Sequence, residues 1–148
     1  MSVTAQVTTE RRQQANQLIA ELQNERHALW SLFFHVAELK PFSATKQVKA
    51  KLTEFSQLLV DYVSLGHFGV YERILSGNER RTRVLSVANE IYPEFSATTE
   101  AAISFNDKYE NIDRIAAFDS LEQELSKLGE SLAKRIDLED KLCDLLKR

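Results

Sequence analysis

The sequence predicts an all-α protein, an antiparallel four-helix bundle with long helices, and three observations carry that reading. Gly and Pro, the residues that most readily end a helix, number four and two in 148 residues, so the chain has few places to turn. Hydrophobic residues (43%) and charged residues (28%) stand in the balance of a globular chain rather than a disordered one. Apolar residues recur at three- and four-residue steps, which is the spacing of one face of a helix. Residues 1–148 are expected to form one helical-bundle domain, with 1–8 a loose N-terminal tail.

The first helix is predicted to open at Thr8-Thr9-Glu10, hydroxyl caps followed by an acid in the first turn. Its apolar stripe is Leu18, Leu22, Leu29, Phe33 and Val36, broadened by Ile19, Trp30 and Phe34. Lys40-Pro41 closes it, because the residue before proline is pushed out of the helical region. Ser43 or Thr45 opens a second helix carrying Val48, Leu52, Phe55, Leu59, Tyr62 and Leu65, running to about Leu75 before the turn Ser76-Gly77-Asn78. Glu79 to Ile91 reads as helix again. The stripe Ile91, Phe95, Ala102, Phe105, Tyr109, Ile112 keeps its rhythm through Pro93, which predicts one kinked helix; a break with a new helix starting near Pro93 is the competing reading. The last helix starts at Asp119 or Ser120, where Ser120 and Gln123 match a capping box, and its stripe is Leu121, Leu125, Leu128, Leu132, Ile136, Leu142 and Leu146.

A net charge of −3 argues against general nucleic-acid binding, which needs a basic field, so no direct DNA contact is expected. The basic run Arg80-Arg81-Arg83 reads as a solvated face. The single cysteine, Cys143, excludes an intrachain disulfide and Cys-based zinc spacing. Residues 1–12 lack the apolar core of a signal peptide and no stretch approaches a membrane span, so the cytoplasm is the expected compartment.

Polar residues on the core stripe are the informative ones. Heptad steps from Leu121 reach 125, 128, 132, 135, 139, 142 and 146, and two of these are Arg135 and Glu139. Drift toward a 3.6 period moves Arg135 to the edge and leaves Glu139 near the seam. In the second helix Asp61, Leu65, Phe68 and Glu72 fall within about 60° of each other, at ~100° per residue. The two carboxylates are about 16 Å apart at ~1.5 Å rise per residue, too far to act as a catalytic pair, so each needs a partner elsewhere, with Arg135 one candidate. His67 and Tyr71 lie on a neighbouring face. Gly66 and Gly69 each cost about 1 kcal/mol relative to alanine inside a helix, which implies a close approach to the backbone or a bend. The reading is either a satisfied polar network at a close helix crossing or a polar floor beneath a partner groove.

Di-iron bundles need Glu-x-x-His pairs, and none occurs with His27, His35 or His67; no metal site or cofactor is expected. The chain has no nucleophile elbow and no phosphate loop, so it is read as a non-enzyme.

The run Leu58-Leu59-Val60-Asp61-Tyr62-Val63-Ser64-Leu65-Gly66-His67-Phe68-Gly69-Val70-Tyr71-Glu72-Arg73-Ile74-Leu75 resembles the signature of the Rsd/AlgQ family of bacterial anti-sigma factors. A second block is Leu128-Gly129-Glu130-Ser131-Leu132-Ala133-Lys134-Arg135 with Leu138-Glu139-Asp140-Lys141-Leu142, and a weaker one runs from Arg26 through Phe33-Phe34 to Lys40-Pro41. Gly77 to about Asp119 resembles the family loosely, chiefly at Ile91-Tyr92-Pro93. The resemblance implies a helical bundle that binds the primary sigma factor of RNA polymerase, chiefly its region 4, and keeps it from core polymerase and the −35 promoter element. The expected state is a monomer in a 1:1 complex. Asp61, Ser64, Phe68 and Glu72 match the motif and form the expected partner face, with Arg26, Trp30 and Phe34 at its rim. His67, Tyr71, Arg135 and Glu139 are expected to support it from beneath. The rival binding reading is an adaptor for another cytosolic protein using the same groove.

Overall fold

The computed structural model describes residues 3–42, 45–71, 82–110 and 118–147. Four α-helices follow in order: α1 (Val3–Ala37), α2 (Lys46–Ser64), α3 (Thr82–Tyr109) and α4 (Leu121–Lys147); a π-helix, Leu65–Tyr71, continues α2. Contacts between elements fix the topology. Arg26 meets Tyr62 and Phe33 meets Phe55, so α1 and α2 run in opposite directions. Phe55 packs on Phe105 while Tyr71 packs on Tyr92, which reverses α3 against α2. Lys134 pairs with Glu94 and Lys108 with Glu124 between α3 and α4. Lys40 reaches Glu122 and Arg26 reaches Asp140, closing α4 against α1. The result is the expected antiparallel bundle, each helix flanked by two neighbours of opposite direction.

The predicted stripes are the core. Leu22, Val36, Leu52, Phe55, Leu59, Tyr62, Ala88, Phe95, Leu121 and Leu132 are all essentially inaccessible to solvent. Thr45 caps α2 from an extended backbone, its hydroxyl accepting the Val48 amide at 3.2 Å, as Ser/Thr caps do.

Three expectations change, and at Pro93 one of two readings is decided. α1 begins at Val3, ahead of Thr8, and residues 3–8, expected as a loose tail, are helical; no Gly or Pro interrupts Val3–Ala37 and nothing there compels a later start. α3 is continuous through Pro93, so the reading with a break falls. The second helix does not run as uniform α-helix: it widens to π at Leu65. The core stripe shows why, stepping Leu52, Phe55, Leu59, Tyr62, Gly66 by three or four and then by five to the buried Tyr71. That one extra residue is the signature of an i→i+5 turn. Finally, Arg135 does not drift to the edge. It is fully buried with Glu139, because the seam of α4 keeps the strict heptad step (Leu121, Leu125, Leu128, Leu132, Arg135, Glu139, Leu142), as helices coiled round one another do. Leu75, Ser76-Gly77-Asn78, Glu79, Arg80, Arg81 and Ile112 lie outside the described residues; Arg83 is exposed.

Candidate functional site

A buried polar cluster joins all four helices beneath the π-helix. On α4, Arg135 donates through Nε to Glu139 Oε2 at 3.1 Å. Its Nη1 donates to Thr99 Oγ1 (2.7 Å) and Thr98 Oγ1 (3.3 Å) on α3, and its Nη2 to the carbonyl oxygen of Val63 on α2 at 3.1 Å. The guanidinium carbon lies 4.1 Å from the centre of the Phe95 ring. The two threonines donate their own hydroxyls to the Phe95 carbonyl, so each is free to accept from Arg135. Burial pulls the Arg135 pKa down, and the charge of Glu139 opposes it. A guanidinium keeps its proton regardless.

Glu139 is shared. Its Oε1 accepts the Tyr62 hydroxyl and, at 3.2 Å, Nη2 of Arg26 on α1. Arg26 also bonds Asp140 Oδ1 at 2.9 Å. Burial works against the Arg26 charge, but hydrogen bonds to Tyr62 and Asp140 and the charge of Glu139 outweigh it and raise its pKa. Burial, then the adjacent Glu139 charge, pushes the Tyr62 hydroxyl well above the usual tyrosine range. Two guanidinium groups face two carboxylates, so the cluster is close to neutral and multiply hydrogen-bonded, the condition under which buried charge is tolerated.

Gly66 is where the backbone comes close. A Cβ there would stand 2.7 Å from Glu139 Oε2 and 2.9 Å from Arg135 Nη2. The approach expected at this glycine is therefore the ion pair itself. Asp61 is not its partner; Arg135 is taken by Glu139, Val63 and the two threonines. Gly129 does the same service on α4, where a Cβ would lie 2.9 Å from the Phe33 ring.

Above this cluster the outer face of α2 presents Val60 and Asp61 exposed, Ser64 half-buried and, from the π-helix, Phe68, which is 63% exposed. Glu72 lies outside the described residues. Beside Asp61, a cleft of about 530 Å³ opens between α1 and α2, lined by Glu21, Asn24, Glu25, Ala28, Asp61 and Leu65. Every charged residue in that lining is acidic, and Glu25 Oε2 is shielded from solvent and accepts no hydrogen bond from the described residues. Sequence reasoning missed Glu21, Asn24 and Glu25. Their i, i+3, i+4 spacing marks one face of α1, but only the neighbouring Asp61 makes it a cleft.

The expected supporting residues divide. Arg135, Glu139 and Tyr71 are buried; Tyr71 donates to the Ala88 carbonyl at 2.8 Å and stacks on Phe95 with centroids 5.1 Å apart. His67 is half-buried, edge-on to Phe68 at 4.9 Å. The expected rim is not gathered at this face. Arg26 belongs to the buried cluster, and Trp30 and Phe34 lie on the opposite side of α1 from Glu21 and Ala28, at ~100° per residue. There Trp30 stacks on the 58% exposed Phe34 at 5.9 Å. The wide face inferred from sequence is thus two patches, one on each flank of α1.

Among the described residues no group of three His, Cys, Asp or Glu side chains is placed to hold a metal ion, and no helix is long and apolar enough to cross a membrane. Cys143 is buried.

No solved structure gives a significant match to the chain. Curated relatives do. A protein named Regulator of sigma D from Enterobacter sp. (strain 638) is 35% identical over 140 residues, covering 93% of this chain and 84% of the relative. Proteins of the same name from Shigella dysenteriae serotype 1 (strain Sd197) and Escherichia coli (strain K12 / DH10B) are each 34% identical over 143 residues, covering 93% of this chain and 89% of their own. The family model described as regulator of RNA polymerase sigma(70) subunit, Rsd/AlgQ, matches residues 1–147. With the glycine-bearing second helix and the Arg135–Glu139 pair both inside that span, the chain belongs to the Rsd/AlgQ family.

Proposed function

We propose that this protein is an anti-sigma factor that binds the primary sigma factor, chiefly through region 4, and withholds it from core RNA polymerase and the −35 element. The observation that carries the reading is the outer face of α2, where the exposed Phe68 shares a helix surface with Asp61, which lines a cleft whose charged residues are all acidic. Region 4, as the family resemblance describes it, is a basic helix-turn-helix module. A large apolar ring supplies area to bury, and carboxylates supply steering and register against a basic surface. Occupying the module blocks both its surfaces, so regulation needs no reacting group. Lowering free sigma shifts the competition for core polymerase toward alternative sigma factors by mass action.

The relatives' shared name and the family description support the choice of sigma factor over another cytosolic partner. The test is co-purification with the primary sigma factor, paired with transcription from a −35-dependent promoter with and without this protein. Capture of sigma and reduced transcription are expected. No association at micromolar concentration would overturn the assignment.

A further inference from the structure

The α-to-π change in the second helix sets the rotational phase of the residues from Leu65 to Tyr71, and it lies against the buried cluster. Up to the junction the helix is ordinary: the Leu65 amide bonds the carbonyls of Asp61 and Tyr62. Where spacing then changes from i→i+4 to i→i+5, one amide is passed over, and a side-chain donor inserted at a junction carbonyl competes with the amide four residues on and so favours the wider turn. Val63 stands at that junction, and its carbonyl oxygen accepts Arg135 Nη2 at 3.1 Å. The guanidinium cannot easily move elsewhere. Glu139 holds Nε, Thr98 and Thr99 hold Nη1, and Phe95 lies under its plane. Gly66 leaves the space through which it reaches the helix.

We infer that Arg135 is a positioning residue for the partner face: by holding the Val63 carbonyl it fixes the π-helix, turning Tyr71 into the core and setting the angle at which Phe68 stands to Asp61 and Ser64. Tyr71 is the internal marker of that phase. In an uninterrupted α-helix the stripe Leu59, Tyr62, Gly66 continues to residue 69 or 70, so Tyr71 leaves its place against Phe95 and the Ala88 carbonyl. Arg135 touches no partner in this account; it acts through the backbone of α2. Lysine keeps the charge opposite Glu139 but lacks the planar fork that spans Glu139, Val63 and the threonines together.

The inference rests on the reading of the α2 face as the sigma-binding surface, and its test separates the two. Arg135→Lys is compared with Glu139→Gln, which removes charge from the same cluster while leaving the guanidinium able to reach Val63. Each folded variant is scored by nuclear Overhauser contacts between the Tyr71 and Phe95 rings and by affinity for the primary sigma factor. Arg135→Lys is expected to lose the Tyr71–Phe95 contacts and to bind sigma at least tenfold more weakly, with Glu139→Gln keeping the contacts and most of the affinity. Should Arg135→Lys fail to fold, Thr99→Val loosens the same guanidinium from α3 and is expected to weaken both readouts together. Tyr71–Phe95 contacts retained in the Arg135 or Thr99 variant, or equal losses in both cluster variants, overturn the positioning role. Wild-type protein that ignores sigma removes the functional reading, while the ring contacts still decide whether Arg135 sets the helix phase.

Discussion

Gly66→Ala tests the packing of the ion pair against the second helix. In an open helix this substitution is stabilising by about 1 kcal/mol. Here the added methyl would stand 2.7 Å from Glu139 Oε2 and 2.9 Å from Arg135 Nη2. Neither neighbour is the loose end of a mobile chain. Glu139 is held by Tyr62, Arg26 and Arg135, and Arg135 by Val63, Thr98 and Thr99. Overpacking a filled core costs about 1–3 kcal/mol, and displacing the pair weakens hydrogen bonds to charged groups worth about 1.5–3 kcal/mol. Net of the helix gain, a loss of about 3 kcal/mol is expected from those terms together, or roughly 6–12 °C in Tm for a chain of this length. Gly69→Ala is the matched control three residues on. Its methyl meets Leu65 Cδ1 at 3.1 Å and Leu18 Cδ2 at 3.7 Å, both ends of flexible side chains, so a change within about 1 kcal/mol is expected. Urea unfolding followed by circular dichroism measures both variants. A Gly66→Ala protein as stable as wild type would refute the claim that this glycine exists to admit the Arg135–Glu139 pair.

Other expectations rest on separate parts of the structure. Phe68→Ala removes a ring that is 63% exposed, so folding stability should stay within about 0.5 kcal/mol while sigma affinity falls by about 30-fold, read by urea melts and titration calorimetry. The Tyr62 hydroxyl is raised above the usual tyrosine range by burial and by Glu139, so the folded state holds its proton more tightly than the unfolded chain. Its contribution is therefore complete below the unfolded pKa of about 10 and is lost as pH rises from there through the folded value. Tyr62→Phe should flatten the alkaline fall in stability without abolishing it, because Tyr71 and Tyr109 are raised as well; denaturant midpoints between pH 8 and pH 11 measure the slope, and an unchanged slope contradicts the assignment. Thr45→Ala deletes the hydroxyl that caps Val48 and should cost about 1 kcal/mol in a thermal melt, with Thr45→Ser restoring most of it.

How much of this was legible in the sequence depends on the range of the interaction. Helix identity is a matter of neighbours three and four residues apart, and the stripes of Leu, Phe and Val placed α2, α3 and α4 close to their observed positions. The start of α1 was misread because threonines that can cap need not do so. The heptad count brought Arg135 and Glu139 onto the seam of α4, and the strict step proved the correct one. Gly66 announced a close approach without saying to what. The π-helix stayed hidden, since an i→i+5 turn is imposed by what lies against the helix rather than by its own residue types.

By itself, then, the sequence determined that this chain forms four long helices, which residues carry each apolar face, and that Glu139 falls near the seam; all three are periodicities of a single helix. Only the tertiary structure decided who pairs with whom. It gave Arg135 to Glu139 and the Val63 carbonyl instead of Asp61, drew Arg26 into the core cluster, moved Trp30 and Phe34 to the far flank of α1, and opened an acidic cleft from Glu21, Glu25 and Asp61. Those outcomes depend on the relative rotation and approach of different helices. That rotation is settled by packing and charge satisfaction summed over the whole core, which no spacing within one segment encodes.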